Sequence, residues 1–184
     1  MAKNFRKLTW DNKKKLAFQI ADGLNYLHNE NILHSSNNAK ITDFGISKNM
    51  NAQNSSIHIG IFGRNPYIDP KILIDLKFQH IKASDIYSFG VVMLEISNGV
   101  SPFESLMSKG DQRIKITSGA RETSIEGTPH CYEMLYKNCW DMTPENRPKI
   151  KNVLEKFKDM GFGVDCKKVS LSENSSPEDP SSID

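Results

Sequence analysis

The sequence predicts a mainly helical domain, arranged as a bundle around one buried central helix. Apolar residues recur at three- and four-residue steps near both ends of the segment 9–160, which is typical of amphipathic helices packed on a common core. Between them, residues 85–96 are apolar on nearly every side, so this helix should lie in the middle of the domain. With 184 residues, of which 38% are hydrophobic and 25% charged, the chain has room for one domain with a sizeable core.

The first predicted helix runs from Thr9 to His28. Its apolar residues follow the helical repeat, whereas Lys13, Lys14 and Lys15 fall on the other side, and Thr9 is a plausible N-cap. The apolar residues are Leu16, Ala17, Ile20, Leu24 and Leu27.

Short strands are predicted at 31–33 and 39–42, before the turn Asp43-Phe44-Gly45. Residues 47–63 are rich in Ser, Asn and Gly with little periodicity, which predicts a mobile loop.

The central helix follows Ser84 and stops at Asn98-Gly99. Ser101-Pro102 and Thr128-Pro129 each place an N-cap residue before a proline, which predicts helices at about 103–109 and 130–139.

After Pro148, a last amphipathic helix is predicted, ended by Gly161. From 170 to 184 the chain holds six serines, two prolines and four acids, too little apolar surface to offset the entropy of ordering. We therefore expect one domain over 1–163 and a disordered Ser/Pro/acidic tail over 164–184.

The composition excludes several classes of protein. A formal charge of +2 gives no case for nucleic acid binding, and no run approaches the roughly 18 apolar residues of a membrane span. One basic cluster fits the solvated side of a helix better than a phosphate-binding patch; it comprises Lys3, Arg6, Lys7, Lys13, Lys14 and Lys15. Three cysteines without Cys-x-x-Cys spacing indicate reduced thiols, so we expect a soluble cytoplasmic or nuclear protein.

Four segments after the Asp43-Phe44-Gly45 turn carry a resemblance to a known family. They are residues 67–71 (Tyr-Ile-Asp-Pro-Lys), 84–90 (Ser-Asp-Ile-Tyr-Ser-Phe-Gly), 139–140 (Cys-Trp) and 144–148 (Pro-Glu-Asn-Arg-Pro). In order and spacing they resemble landmarks in the C-terminal lobe of eukaryotic protein kinases. The Trp140 segment and residues 94–99 most resemble the tyrosine-kinase-like group, including the expanded kinases of arbuscular mycorrhizal fungi.

The resemblance implies the helical C-terminal lobe of a kinase, with minimal β structure, over about residues 5–160. It also implies transfer of the ATP γ-phosphoryl group to a Ser, Thr or Tyr hydroxyl of a protein, with ATP and Mg²⁺ as cofactors. The expected partner is therefore a protein substrate or another protein that the chain binds. No Gly-rich loop, strand lysine or partner glutamate precedes Asn4, so we expect no N-terminal lobe within these 184 residues. Binding of ATP or Mg²⁺ by this chain is therefore not expected.

The catalytic loop is shorter than in the family. Kinases place a His-Arg-Asp histidine about 19 residues before the Asp-Phe-Gly aspartate. Here His34 precedes Asp43 by nine residues, and Ser35 and Ser36 stand where Arg and Asp belong. About ten residues, among them the general base, are missing, so no catalytic residue is identified.

By the resemblance, Asp43 is the Mg²⁺ ligand of the Asp-Phe-Gly turn, since carboxylate oxygen suits that ion. Asn31 is either the second ligand for Mg²⁺ and ATP or an ordinary loop amide. Asp85 resembles the residue whose carboxylate holds the His-Arg-Asp turn, and the alternative is that it caps its own helix. Ser55 and Ser56 are candidate phosphosites in the activation segment, or merely solvated serines.

Arg147 resembles the arginine that pairs with the Glu of Ala-Pro-Glu, but Lys71 occupies that position here. A buried arginine without an acceptor would cost about 3–5 kcal/mol, so we expect another partner, with Asp69 the nearest in sequence.

Three interpretations remain open. The chain is a kinase-derived fragment or pseudokinase that has at most residual activity and works as an interaction module, or an active kinase whose missing base and N-terminal lobe are present in the real product. The third interpretation is a truncated gene model or decaying duplicate that does not unfold cooperatively.

Overall fold

The computed structural model describes residues 2–29, 64–105 and 108–162, which form six α-helices joined by turns. The helices are α1 (Trp10–Asn29), α2 (Pro70–Ile74), α3 (Lys82–Asn98), α4 (Lys109–Thr117), α5 (His130–Cys139) and α6 (Ile150–Asp159). Short 3₁₀ turns occupy Ala2–Lys7, Asn65–Tyr67 and Pro144–Asn146. These ranges contain no strand, and the strands, loop and tail predicted from the sequence fall outside them.

Helix α3 is the centre of the fold, as its apolar sequence predicts. It packs against α1, α5 and the first two 3₁₀ turns, and ten of its 17 residues are buried. It ends at Gly99, which adopts a left-handed φ of 69°. Its start differs from the prediction, because α3 begins at Lys82 and Ser84 lies inside it, where its Oγ accepts the Ile81 N–H at 3.4 Å.

Helices α1 and α6 pack on each other beside α3. Thr9 Oγ1 accepts the Asn12 N–H at 3.3 Å, so the predicted N-cap of α1 is confirmed. The predicted end of α6 is also confirmed. Gly161 adopts a φ of 87°, and the Gly161 and Phe162 N–H groups donate to the carbonyls of Lys158 and Phe157, the Schellman pattern.

Lys13 contradicts the prediction that the lysines of α1 all face solvent. Its side chain is buried, donates from Nζ to the Ser97 carbonyl at 2.7 Å and lies 4.8 Å from the centre of the Trp10 ring. Burial lowers the pKa of Lys13. The cation therefore satisfies a carbonyl in the last turn of α3, where the helix dipole favours positive charge.

The predicted helix at 103–109 is wrong. Residues 102–105 form a turn in which Phe103 adopts a φ of 55°, and α4 begins only at Lys109, after the N-cap Ser108. Ser101 does not act as an N-cap, since its hydroxyl donates to Glu95 Oε1 at 3.3 Å. The helix predicted at 130–139 is confirmed, although Thr128 donates to the Ile125 carbonyl instead of capping it.

Helix α5 approaches α3 closely because α3 carries glycine at the crossing. A Cβ added at Gly90 would lie 2.8 Å from Cys139 Cβ and 3.0 Å from the Tyr136 carbonyl oxygen. The aromatic core builds on this contact: the Tyr136 and Trp140 rings meet edge to face at 5.0 Å, and Phe89 contacts Phe157. In the described ranges, no helix is long and apolar enough to cross a membrane.

We predict that Gly90→Ala destabilises the protein, although alanine favours helices by about 0.5–1 kcal/mol. Forcing a methyl group against Cys139 costs about 1–3 kcal/mol and outweighs that gain. Urea unfolding measures the difference. Gly110→Ala in α4 is the matched control, because its new Cβ would meet only Ser108 Oγ at 3.6 Å. Equal effects of the two substitutions would contradict the close α3–α5 contact.

Candidate functional site

Three of the candidate residues, Asp69, Arg147 and Asp85, lie around the amino-terminal end of α3. Asp69 precedes α2, Arg147 follows the third 3₁₀ turn, and Asp85 lies in the first turn of α3. Three segments distant in sequence therefore meet here.

Arg147 and Asp69 form a buried bidentate ion pair. The two guanidinium Nη atoms donate to the two carboxylate oxygens at 2.6 and 3.0 Å, and both side chains have 0% exposure. Lys71, which stands where the kinase family has the glutamate partner, takes part only through its backbone N–H, which donates to Asp69 Oδ1 at 2.9 Å. Asp69 thereby both accepts the arginine and caps α2.

The remaining donors of Arg147 are also satisfied. Its Nε donates to the Asp141 carbonyl at 2.8 Å and one Nη to the Ala83 carbonyl at 2.9 Å, while the guanidinium lies 5.2 Å from the centre of the Tyr87 ring. Burial raises the pKa of the Asp69 carboxyl, but the hydrogen bonds from Arg147 and from the Lys71 N–H outweigh burial and hold the pKa below its ordinary value. The pair stays ionised and has a positioning role.

Asp85 accepts hydrogen bonds from two histidines. His28 Nε2, at the end of α1, donates to one carboxylate oxygen at 2.9 Å, and His80 Nε2 donates to the other at 2.7 Å. Burial raises the pKa of Asp85, but the hydrogen bonds from His28 and His80 outweigh it and lower the pKa to about 2. Asp85 is not the N-cap of α3, because that helix starts three residues earlier, so this alternative is wrong.

A second network holds the segment 64–67 against α3. Tyr67 donates from its hydroxyl to Glu95 at 2.5 Å, and Ser88 Oγ donates to the Tyr67 carbonyl at 2.6 Å. Asn65 Nδ2 donates to the Lys109 carbonyl at 2.6 Å, which joins the same segment to α4. Burial and the neighbouring Glu95 raise the pKa of Tyr67, so its hydroxyl remains protonated and donates.

Sequence reasoning did not identify His28, His80, Tyr67 or Glu95 as bonding partners. Tyr67 and Glu95 are 28 residues apart in the sequence, and His28 and Asp85 are 57 residues apart. No local sequence pattern therefore reveals these two pairs. For His80, five residues before Asp85, the short spacing was the available signal.

The other candidates, Asp43, Asn31, Ser55 and Ser56, lie outside the described residues. Within the ranges that are described, no group of three or more His, Cys, Asp or Glu side chains has an arrangement that could hold a metal ion. Asp43 and Asn31 are the residues that the family resemblance assigns to Mg²⁺.

Comparison with known proteins gives the family. Residues 1–157 match the family of protein tyrosine and serine/threonine kinases, and the chain belongs to it. The helical structure around α3 is consistent with the C-terminal lobe of a kinase.

Several curated kinases are similar to the chain. The mouse leucine-rich repeat serine/threonine-protein kinase 1 is 32% identical over 82% of this chain and 8% of that protein. A mitogen-activated protein kinase kinase kinase of Drosophila melanogaster is 29% identical over 87% of the chain and 15% of that protein. A probable serine/threonine-protein kinase of Dictyostelium discoideum is 30% identical over 77% of the chain and 16% of that protein. The chain therefore spans less than a fifth of the length of these relatives.

We predict that Arg147→Met lowers the free energy of unfolding by about 3–5 kcal/mol, because it leaves the Asp69 carboxylate buried without its partner. Lys156→Met is the control: its pair with Asp159 has side-chain exposures of 65% and 68%, and its loss should change stability by no more than about 0.5 kcal/mol. Urea denaturation of both variants checks this. If both variants lose a similar amount of unfolding free energy, burial of the Arg147–Asp69 pair does not determine the cost of breaking it.

A second prediction concerns acid. Because the pKa of Asp85 is about 2 in the folded protein and 3.8 when unperturbed, its ionised form stabilises the fold above about pH 4. That contribution is lost as the pH falls from 4 towards 2. Its size is on the order of 1 kcal/mol, since a carboxylate that is 37% exposed is screened by solvent.

Asp85→Asn should therefore flatten the fall in unfolding free energy between pH 4 and 2, measured by urea titration at each pH. Asp159→Asn, on the exposed end of α6, is the matched control and should keep the slope of the unsubstituted protein. An unchanged slope in Asp85→Asn would refute the role given to the two histidines.

Proposed function

We propose that the chain, as its sequence stands, is a kinase-family protein that does not transfer phosphoryl groups and acts by binding other proteins. One observation carries the first half: no Asp or Glu lies between Glu30 and Asp43, the stretch in which the family carries its catalytic base.

The missing acid matters because a protein hydroxyl is a weak nucleophile. In kinases an aspartate of the catalytic loop accepts the hydroxyl proton and orients the oxygen toward the γ-phosphorus. Ser35 and Ser36, which occupy the corresponding stretch, are neutral at physiological pH and cannot serve as that base. ATP and Mg²⁺ bound at Asp43 and Asn31 would supply the transferable group, but this chain offers no carboxylate to activate the acceptor.

The protein-binding half is supported by the second network of hydrogen bonds. In the family, the segment equivalent to 64–67 lies beside the bound peptide. Here three hydrogen bonds hold this segment in place: the Tyr67 hydroxyl donates to Glu95, Ser88 Oγ donates to the Tyr67 carbonyl, and Asn65 Nδ2 donates to the Lys109 carbonyl. Because both partners in each bond belong to the helical lobe, the surface does not depend on nucleotide for its shape.

We also infer that the chain belongs with the tyrosine-kinase-like group. The support is the sequence of the end of α3, Leu94 to Gly99, and the Cys139-Trp140 pair at the end of α5.

A thermal melt with ATP and Mg²⁺ tests the proposal. Ligand at 100 times its Kd would stabilise the folded state by about 2.7 kcal/mol, a change that a melt detects easily. We expect no change in Tm, and the same Tm for Asp43→Asn. A gain in Tm that Asp43→Asn abolishes would show that the nucleotide site works, and transfer of labelled phosphate to a protein would overturn the proposal outright.

A further inference from the structure

A groove of about 350 Å³ opens beside the carboxyl-terminal end of α3. One side is apolar, formed by Leu94 of α3 with Val100 and Pro102 of the segment that follows. The groove opens to solvent, so a side chain carried by another molecule can enter it. It is separate from the Asp69–Arg147 pair, which lies at the opposite end of α3.

The charged residues in the described lining of the groove are both glutamates. Glu104 and Glu122 belong to its lining, and none of the described lining residues is a lysine, arginine or histidine. A cation that the structure describes beside the lining is Arg64, which donates to the Ser101 hydroxyl at 3.4 Å. Arg121, next in sequence to Glu122, donates instead to the carbonyls of Trp140 and Ala120. The chain as a whole carries a formal charge of +2, so this acidic lining differs from the average surface.

Phe103, which lies in sequence between the lining residues Pro102 and Glu104, is held in an unusual conformation. Phe103 has a φ of 55°, a left-handed value that is uncommon for a residue with a side chain. Its N–H donates to Glu122 Oε1 at 2.8 Å, and its carbonyl accepts from Gln112 Nε2 at 3.4 Å. Strained residues of this kind persist where their surroundings hold them, often at ligand clamps. These two bonds fix the backbone between Pro102 and Glu104, so this part of the lining is held in place before a partner binds, which lowers the entropic cost of binding.

We propose that this groove binds an arginine or lysine side chain, flanked by apolar residues, of a protein partner. The aliphatic stem lies along Leu94, Val100 and Pro102, and the cationic head meets the carboxylates of Glu104 and Glu122. Glu122 retains a second oxygen for this contact while its Oε1 holds Phe103. This assignment rests on the proposed function in one respect only, that the chain acts by binding proteins.

The probe is the acetylated pentapeptide amide Ala-Leu-Arg-Leu-Ala, titrated into ¹⁵N-labelled protein and followed by NMR. We expect saturable shifts of the Phe103 and Glu122 amides. The same peptide with glutamine in place of arginine should bind about tenfold more weakly, the size that two partly exposed ion pairs support.

Matched substitutions locate the site. Glu122→Gln keeps an oxygen for the Phe103 N–H but removes the charge, and should weaken binding about threefold; Glu104→Gln should do the same. Glu126→Gln is the control, because Glu126 is exposed on the same loop as Glu122 but does not line the groove. It should leave the Kd unchanged.

Equal affinities for the arginine and glutamine peptides, or equal effects of the three substitutions, would overturn the assignment. Shifts confined to another face of the protein would overturn it as well. The thermal melt with ATP is a separate measurement. If the protein binds neither ATP nor the peptide, only the assignment of the groove is overturned. If it binds both, the assignment of the groove stands and the proposal of an inactive nucleotide site is overturned.

Discussion

The buried pair between Arg147 and Asp69 is the contact on which the rest of the arrangement depends. It joins the segment before α2 to the segment before α6, and a further donor of Arg147 reaches the start of α3. Both charges are removed from water, so each is tolerable only because the other is present and the remaining hydrogen bonds are made. Such a pair adds little net stability; its effect is to make any other arrangement of these segments costly.

Helix α3 then provides the surface on which the functional regions are built. Its amino-terminal end meets Arg147 and the two histidines through Asp85, and its middle holds Tyr67 through Ser88 and Glu95. Its last turns supply Leu94 to the acidic groove. The surfaces that we assign to protein binding are therefore parts of one buried helix and its neighbours, and they do not require the catalytic loop to be complete.

The sequence predicted the long helices well, because hydrophobic spacing reports burial directly. The apolar run of α3 and the periodic residues of α1 and α6 each led to the observed element. The predictions were wrong where a sequence pattern is compatible with more than one local structure. Ser101-Pro102 can open a helix or a turn, and the choice of a turn depends on Phe103 being held by Glu122, 19 residues away. Bonds such as His28 to Asp85 are tertiary and leave no local pattern. The Arg147–Asp69 contact was accessible from residue types alone, since Lys71 cannot accept an ion pair and Asp69 can.

We propose that the helices around α3 form one cooperative unit that needs no nucleotide. Native-state hydrogen exchange on the chain without added ligand measures this most directly, because it reports an opening free energy for each protected amide. We expect that the slowest amides lie in α3 and that α1, α5 and α6 share their opening free energy. Exchange in α3 at the rate of an unstructured peptide, or separate low-energy opening of each helix, would contradict it.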